Sequence, residues 1–354
     1  MRFKLRISWG LVALILLVVA GSIRVPFVLL SPGPAYDTIG QIDGQEFISI
    51  SGAQTYPTEG ALFMTTVSEY GGPTEGIDVF QAIWGWLDPK QEVAPREMFY
   101  DDSVSDEENR QQNAEAFSTS QTYAVGAALK YLNLPVKENV VIASITEGAP
   151  ALGLLKAGDI VTAVDGVSTK VSKEVAQYVQ KKPAGSVVTF SVIRQGSAVN
   201  IPVETAPRID DPATTQDESG IPYVGIGLDM QYVGDFNVEF AQTNIGGPSA
   251  GMMFSLAIID KLTPGAITNG VKIAGTGTID GDGNVGPIGG ITRKLIGASD
   301  AGTKLFLAPI DNCSEVVGAI PNGLTVVPVA TLTQAVKAIE DFNSGKPLAT
   351  CSVQ

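Results

Sequence analysis

The stretch Thr243-Asn244-Ile245-Gly246-Gly247-Pro248-Ser249-Ala250-Gly251 closes a polar run and opens an apolar one, Met252 to Ile259. Two glycines and a proline force a sharp bend there. From Ala250 to Ile259 only Gly251 and Ser255 interrupt the apolar character, over a length of about three helical turns. A helix apolar on every side cannot sit on a surface, so the pattern predicts a buried helix with Ser249 at its N-terminus. The unpaired N–H groups and positive dipole end of such a helix stabilise an oxyanion as readily as a bound anion. A serine in this place also reads as an ordinary N-cap, and the turn alone does not choose between the two.

The 354 residues leave room for two or three domains, and 37 acidic against 23 basic residues argue against duplex nucleic acid as a partner. The most restrictive count is that of histidine, which is zero. Ser-His-Asp and Cys-His catalysis are thereby excluded, together with every His-ligated zinc or iron site. A nucleophile in this chain must take its base from Lys, Asp, Glu or an amine.

Arg2, Lys4 and Arg6 precede Ile7 to Ile23, a run of 17 residues without a charge, and after Arg24 the apolar pattern resumes from Val25 to Leu30. This predicts an uncleaved signal anchor, a transmembrane helix over 7–30, with 1–6 on the cytoplasmic side and everything after about residue 30 outside. Val18-Val19-Ala20 can instead be read as a signal-peptidase site, which would release the protein. Cys313 and Cys351 would lie in an oxidising compartment, where a disulfide between them would tie down the tail, 343–354.

Ser31-Pro32-Gly33-Pro34 reads as a stiff exit from the bilayer, and the short apolar runs between Ala35 and Val67 read as strands. Ile77 to Leu87 has helical spacing with Trp84 and Trp86, which suits core or membrane-proximal packing. Asp101 to Glu108 is an acidic loop entering a helix, and Gln121 to Leu132 is a second helical segment. Farther on, strand-like Val140 to Ile145 is followed by Glu147-Gly148-Ala149-Pro150 and Lys156-Ala157-Gly158-Asp159-Ile160, with Asp165-Gly166 turning out of the next strand. A helix and two strands, Ser186 to Arg194 and Ala198 to Val203, complete the run. The order resembles a PDZ domain of the bacterial protease-associated type over 125–206. That resemblance implies a small β-barrel with helices that captures an extended peptide as an added strand, although the mammalian-type Gly-Leu-Gly-Phe loop is missing. A module used only for packing is the alternative. Residues 207–220, polar and proline-bearing, read as a linker.

The second chemically suggestive stretch is Gly286-Pro287-Ile288-Gly289-Gly290-Ile291-Thr292-Arg293-Lys294-Leu295-Ile296-Gly297-Ala298. On a helix starting near Ile291, the residues Ile291, Lys294, Leu295 and Ala298 share one face, which turns Lys294 inward. Desolvation and the helix dipole both disfavour its charged form there, as a lysine base requires. A lysine that lays its stem on the core and snorkels out is the alternative.

Gly247-Pro248-Ser249-Ala250-Gly251, Gly275-Thr276-Gly277-Thr278-Ile279, Gly283 to Lys294 and Ala301-Gly302-Thr303-Lys304-Leu305 follow one another in an order that resembles the proteolytic domain of Lon proteases. The resemblance spans 221–342 and implies Ser249 as the acylated nucleophile, Lys294 as general base and acid, and Thr276 as the residue that orients the lysine. Backbone around Gly247, Pro248, Ala250 and Gly251 would form the turn and oxyanion hole. Thr278 stands where the ATP-dependent members carry an acidic residue, and no Walker A sequence is present. Gly281-Asp282-Gly283-Asn284-Val285-Gly286 fits a dinucleotide fingerprint, yet Asp-Gly and Gly-Asn pairs followed by Pro287 predict a hairpin, and Asp280 with Asp282 lacks the rest of a calcium loop.

These readings combine into an α+β multidomain chain with a transmembrane helix, a PDZ-like β-barrel and a Lon-type α+β proteolytic domain on which 31–124 packs. It resembles the PDZ-containing, ATP-independent Lon-like serine proteases anchored on the outer face of bacterial membranes. What this implies is an extracytoplasmic endopeptidase acting on unfolded, membrane or secreted proteins, with no cofactor, metal, nucleotide or nucleic acid. The ring-forming habit of Lon-type domains leaves a homo-oligomer open. A non-catalytic PDZ scaffold on a protease-like domain is the alternative.

Overall fold

The computed structural model describes residues 9–101, 104–208 and 220–352. The chain divides into two compact units, 1–132 with 237–354 and, inserted between these segments, 133–236.

The first unit begins with helix α1, Trp9–Ser22, which buries none of its residues. Among the described residues no helix is long and apolar enough to cross a membrane; residues 1–6 lie outside them. The anchor expected over 7–30 ends early. Val25 pairs with Ile77, and strand β1, Phe27–Asp37, buries Val28, Leu29 and Leu30 within a sheet. Arg24 and Pro26 divide what hydropathy alone reads as one segment, and the far half is sheet core. Ser31-Pro32-Gly33-Pro34 is likewise no bilayer exit. It forms a bulge inside β1, where pairing slips between Pro32 and Ala35, a place that tolerates residues without an N–H.

Strand β2, Ala61–Tyr70, runs antiparallel to β1. Helix α2, Val79–Leu87, is started by a reciprocal cap between Asp78 and Gln81, and strand β3, Glu92–Pro95, pairs with β1. Helix α3 spans Asp106–Tyr131, capped by Ser105. It is longer than the expected 121–132 because its first half is exposed and polar, held by the cap and by Asp106, Glu107 and Glu108 at the positive dipole end instead of by an apolar stripe.

The second unit holds strands β4, Lys137–Ile145, and β5, Ile160–Val164, then helix α4, Ser172–Gln180, and strands β6, Val187–Arg194, β7, Ser197–Glu204, and β8, Ile226–Val233. All pair antiparallel in the order β7-β6-β5-β4-β8. The boundary expected near 221 therefore falls elsewhere. Strand β8 is zipped along β4 from Ile226–Ile145 to Val233–Lys137, so it belongs to this unit, while residues 125–131 end α3 of the other. Such pairing between distant strands leaves no mark in local periodicity. Of the expected linker, 209–219 lie outside the described residues.

The first unit resumes with α5, Gly251–Leu262, then β9, Lys272–Gly275, α6, Ile291–Asp300, β10, Leu305–Pro309, β11, Thr325–Val329, and α7, Leu332–Asn343. Its sheet has the order β11-β10-β9-β2-β1-β3. The four strands β11, β10, β9 and β2 are parallel, which requires apolar cover on both faces. Residues 31–124 thus do not pack on this domain from outside but supply three of its strands and α3. Alternation along the strands sends Leu62, Met64, Ile273 and Leu307 towards α5, and Ala274, Phe306 and Ala308 towards Ile291 and Leu295 of α6. On the α5 side, Phe254 stands against the rings of Phe47, Phe117 and Phe240. Cys313 and Cys351 form a disulfide that ties the tail to this unit.

Candidate active site

The two faces of the sheet meet chemically where β9 ends. Thr276 follows that strand, Ser249 precedes α5 on one side, and Lys294 lies in the first turn of α6 on the other. Carboxyl ends of parallel strands are where such sheets place their sites, because connecting turns converge there. Gly247 with φ 85° and Gly290 with φ 67° make the bends that launch the two helices, in the left-handed region that glycine enters at little cost. The backbone then closes round the serine. Gly277 N–H donates to Ser249 O at 2.8 Å, and Met252 N–H donates back to Gly277 O at 3.2 Å.

Lys294 Nζ stands 2.8 Å from Ser249 Oγ and 3.0 Å from Thr276 Oγ1. Thr276 spends its own proton on Ser249 O at 3.0 Å, so its lone pairs face the lysine and it can only accept from Nζ. The amine is 3% exposed as a residue, and burial pulls its pKa from the usual lysine range down to about 7. Inward placement on the Ile291, Lys294, Leu295, Ala298 face is what the spacing predicts, and all four residues are buried. A near-neutral amine within hydrogen-bond reach of a hydroxyl can take its proton and return it, which is the geometry of an activated nucleophile.

The remaining residues expected at the site form its frame. Pro248 O accepts from Ser120 Oγ at 3.1 Å, Ala250 is buried at the cap position of α5, and Gly251 lies so close to α3 that a Cβ would stand 2.9 Å from Ser120 Oγ and 2.7 Å from Ile279 Cγ2. Asn113 O accepts from Gly247 N–H at 2.9 Å. Sequence reasoning missed both α3 residues. Ser120 had a signal: with Phe117, Ala124, Ala127 and Ala128 it falls on one buried helical stripe, and a hydroxyl at a core position needs a partner. Asn113, on the exposed polar half, had none.

A cavity of about 430 Å³ opens onto Ser249 and Lys294. Its walls come from β1 and β2 (Tyr36, Met64, Thr66), from α3 (Phe117) and from the stretch before the serine (Ile245). The segment after Thr276 is a hairpin, Thr278 opposite Gly286 and Ile279 opposite Val285, with Asp280 accepting from the N–H groups of Asp282 and Asn284. The dinucleotide-like glycines therefore shape a turn. In the second unit, a groove of about 480 Å³ runs between α4 and the edge strand β8, lined by Val175, Val179, Tyr223, Gly225, Ile226 and Leu228 among others.

Two family descriptions match. Residues 238–340 match the Lon protease (S16) C-terminal proteolytic domain, and residues 111–205 match the PDZ domain. The chain is 34% identical over 119 residues to the Lon protease of Buchnera aphidicola subsp. Schizaphis graminum, covering 32% of this chain and 15% of that protein. It is also 34% identical over 128 residues to the Lon protease of Elusimicrobium minutum, covering 35% of this chain and 15% of that one. The chain thus spans about 15% of the length of these curated relatives. The PDZ domain of the SdrC-like protein from Listeria innocua is similar at 30% identity, over 25% of this chain and 92% of that one, with a TM-score of 0.22. The chain carries a Lon-type serine peptidase domain and a PDZ domain.

Proposed function

We propose that this chain, with its Lon-type peptidase domain and its PDZ domain, is an ATP-independent serine endopeptidase in which Ser249 is the nucleophile and Lys294 the general base and acid. The observation that carries the reading is the 2.8 Å approach of Ser249 Oγ to a buried amine held near pKa 7, in a chain without histidine. Neutral Nζ takes the hydroxyl proton as Oγ attacks the scissile carbonyl. The protonated amine then gives that proton to the leaving nitrogen, which departs as the peptide C–N bond breaks and an ester to Ser249 remains. Water repeats the sequence, its proton passing to Nζ and then to Oγ as the ester is cleaved. Thr276 holds the amine in line, and backbone N–H groups of the turn from Gly247 to Gly251 stabilise the oxyanion.

The PDZ unit presents substrate in this reading. An extended segment adds to the free edge of β8, with its side chains in the groove against Val175 and Val179. The chain acts outside the cytoplasm, tethered at its N-terminus. The Cys313–Cys351 disulfide favours an oxidising compartment, and α1 buries none of its apolar side chains, leaving Leu14 to Val19 exposed, as lipid contact requires.

The test is acylation and turnover together. Wild-type chain should cleave unfolded casein and label with a fluorophosphonate at Ser249. Both Ser249→Ala and Lys294→Ala should lose labelling and cleavage while melting as wild type does. Retained cleavage in either variant would overturn the dyad, and labelling without cleavage of any protein would favour a regulatory scaffold.

A further inference from the structure

Helix α2 wears its amphipathy inside out. Phe80, Ile83, Trp84 and Leu87 lie at i, i+3, i+4 and i+7, the spacing of a stripe that ordinarily faces a core. Here that stripe faces outward, at 43%, 46%, 68% and 72% exposure. The helix instead buries its small residues, Ala82 and Gly85. Gly85 fits so closely that a Cβ would come within 2.4 Å of Leu29 Cδ1 and 2.6 Å of Val93 Cγ2, so α2 is seated flush on β1 and β3. The reciprocal cap at Asp78 and Gln81 fixes its start. The stripe therefore has no route into the protein's own core.

Its neighbourhood says what covers it. The end of α1 reaches α2 at Gly21, where a Cβ would stand 3.2 Å from the Phe80 ring, so the two apolar surfaces adjoin. Trp86 extends them, packed edge-on to Phe27 at 6.0 Å yet still largely exposed. A protein partner covers one face of a helix, whereas α1 is apolar along its length and buries none of its residues even where it meets α2, an arrangement that a surrounding apolar medium satisfies. Tryptophans at the margin of such a medium are typical of the bilayer interface, where the ring is buried and the indole N–H stays wet.

We propose that the Phe80, Ile83, Trp84, Leu87 face of α2 docks into the interfacial layer of a lipid bilayer beside α1, so that the peptidase unit lies on the membrane instead of hanging from a tether. The proposal rests on the membrane contact of α1 in the preceding reading and adds a second point of attachment. Two points fix orientation, and the site follows. Arg293, next to Lys294, donates to Pro89 O at 3.2 Å just past the end of α2, and Lys90 bridges to Asp300 at the far end of α6 at 3.0 Å. The helix that carries the lysine is thus tied to the docked segment, which holds the dyad at a constant height and favours protein segments emerging at the bilayer surface as substrates.

The chain has three tryptophans, Trp9, Trp84 and Trp86, all on α1 or α2, so fluorescence excited selectively in tryptophan reports on this region alone. Full-length chain is reconstituted into phosphatidylcholine and phosphatidylglycerol vesicles containing lipid brominated near the headgroup end of the acyl chain. In Trp9→Phe, where α2 supplies the signal, emission should shift to the blue and be quenched by the brominated lipid. In the Trp84→Phe, Trp86→Phe double variant, quenching of Trp9 reads the α1 contact separately. Quenched Trp9 with unquenched α2 tryptophans would overturn docking and leave the tether standing. Loss of quenching in both variants would overturn the two together. Blue-shifted but unquenched α2 tryptophans would mean that a protein surface, such as a second copy, covers the stripe, and would equally overturn the proposal.

Discussion

Lys261 and Lys294 are both buried on helices of the same unit, and their surroundings put them to opposite uses. Lys261, near the end of α5, reaches a carboxylate, with Nζ 2.9 Å from Glu46 Oε2. Lys294, at the start of α6, meets the hydroxyls of Ser249 and Thr276, and burial without a compensating charge brings it to about pKa 7. An ion pair keeps a lysine charged and structural, whereas two hydroxyls satisfy its hydrogen bonds and let it go neutral. Burial alone therefore does not suit a lysine to accept a proton; burial among neutral partners does.

The sharpest way to break this contrast is to remove each amine. Lys294→Met should lower peptide turnover by on the order of a thousandfold or more, as loss of a unit nucleophile–base pair does. Lys261→Met should leave kcat within about threefold of wild type, since its partner lies away from the Ser249 cavity. Equal losses in the two variants, measured on one folded preparation each, would show that the distinction is not chemical.

A carboxylate can be given to Lys294 as well. Thr276→Asp would place an acid where a hydroxyl now accepts from Nζ, raising the lysine pKa by about one to three units. In the proposed mechanism the neutral amine is the active form, so activity should rise with pH through about 7 and level off above it. In the variant the rise should move to alkaline pH, with turnover at neutrality falling by about five- to five-hundredfold. An unmoved midpoint in pH–rate profiles would separate the lysine from the titration that governs activity.

How legible the site was depends on how local its parts are. Of the candidate residues, Ser249 stood out from a bend and Lys294 from a helical face, Thr276 came only from the resemblance to Lon-type domains, and the absence of histidine made a lysine base the economical choice. What lay beyond local reading was pairing between remote segments. The strand β1 was hidden in an apolar run that continues from α1, because hydropathy counts residues and does not see that Val28 and Leu30 pair with β3 and β2. Strand β8 was assigned to the wrong side of the linker for the same reason: its partner lies about ninety residues earlier, at Lys137 to Ile145. The cavity walls in β1, β2 and α3 followed from those pairings and could not precede them.

Asp260, next to Lys261, extends the comparison to a buried acid. It is fully buried, accepts from Ile267 N–H at 2.7 Å, and its second oxygen has no partner within hydrogen-bond reach. Burial raises its pKa to about 6. Since the folded state holds this proton more tightly than the unfolded chain, its contribution to stability is fully present below about pH 4 and is lost as pH rises through about 6. Asp260→Asn should remove that dependence and raise stability at pH 8 by about 1–3 kcal/mol, read from denaturant melts across pH. Unchanged pH dependence would show that the carboxylate is already relieved of its burial.

The smallest expected effect tests the structural half of the contrast. Glu46 is more than half exposed, so water screens its attraction to Lys261, and an ion pair of this kind is worth about 1 kcal/mol or less. Glu46→Gln keeps an acceptor within reach of Nζ, so the melting transition should shift by no more than a few degrees and turnover should not change. A large loss of stability would mean that Lys261 depends on the carboxylate for its place inside the protein, as one partner of a truly buried pair depends on the other. The two lysines would then differ more than exposure suggests: Lys261 would be intolerant of a neutral partner, and Lys294, which has only neutral partners, would owe its accommodation to going without its proton.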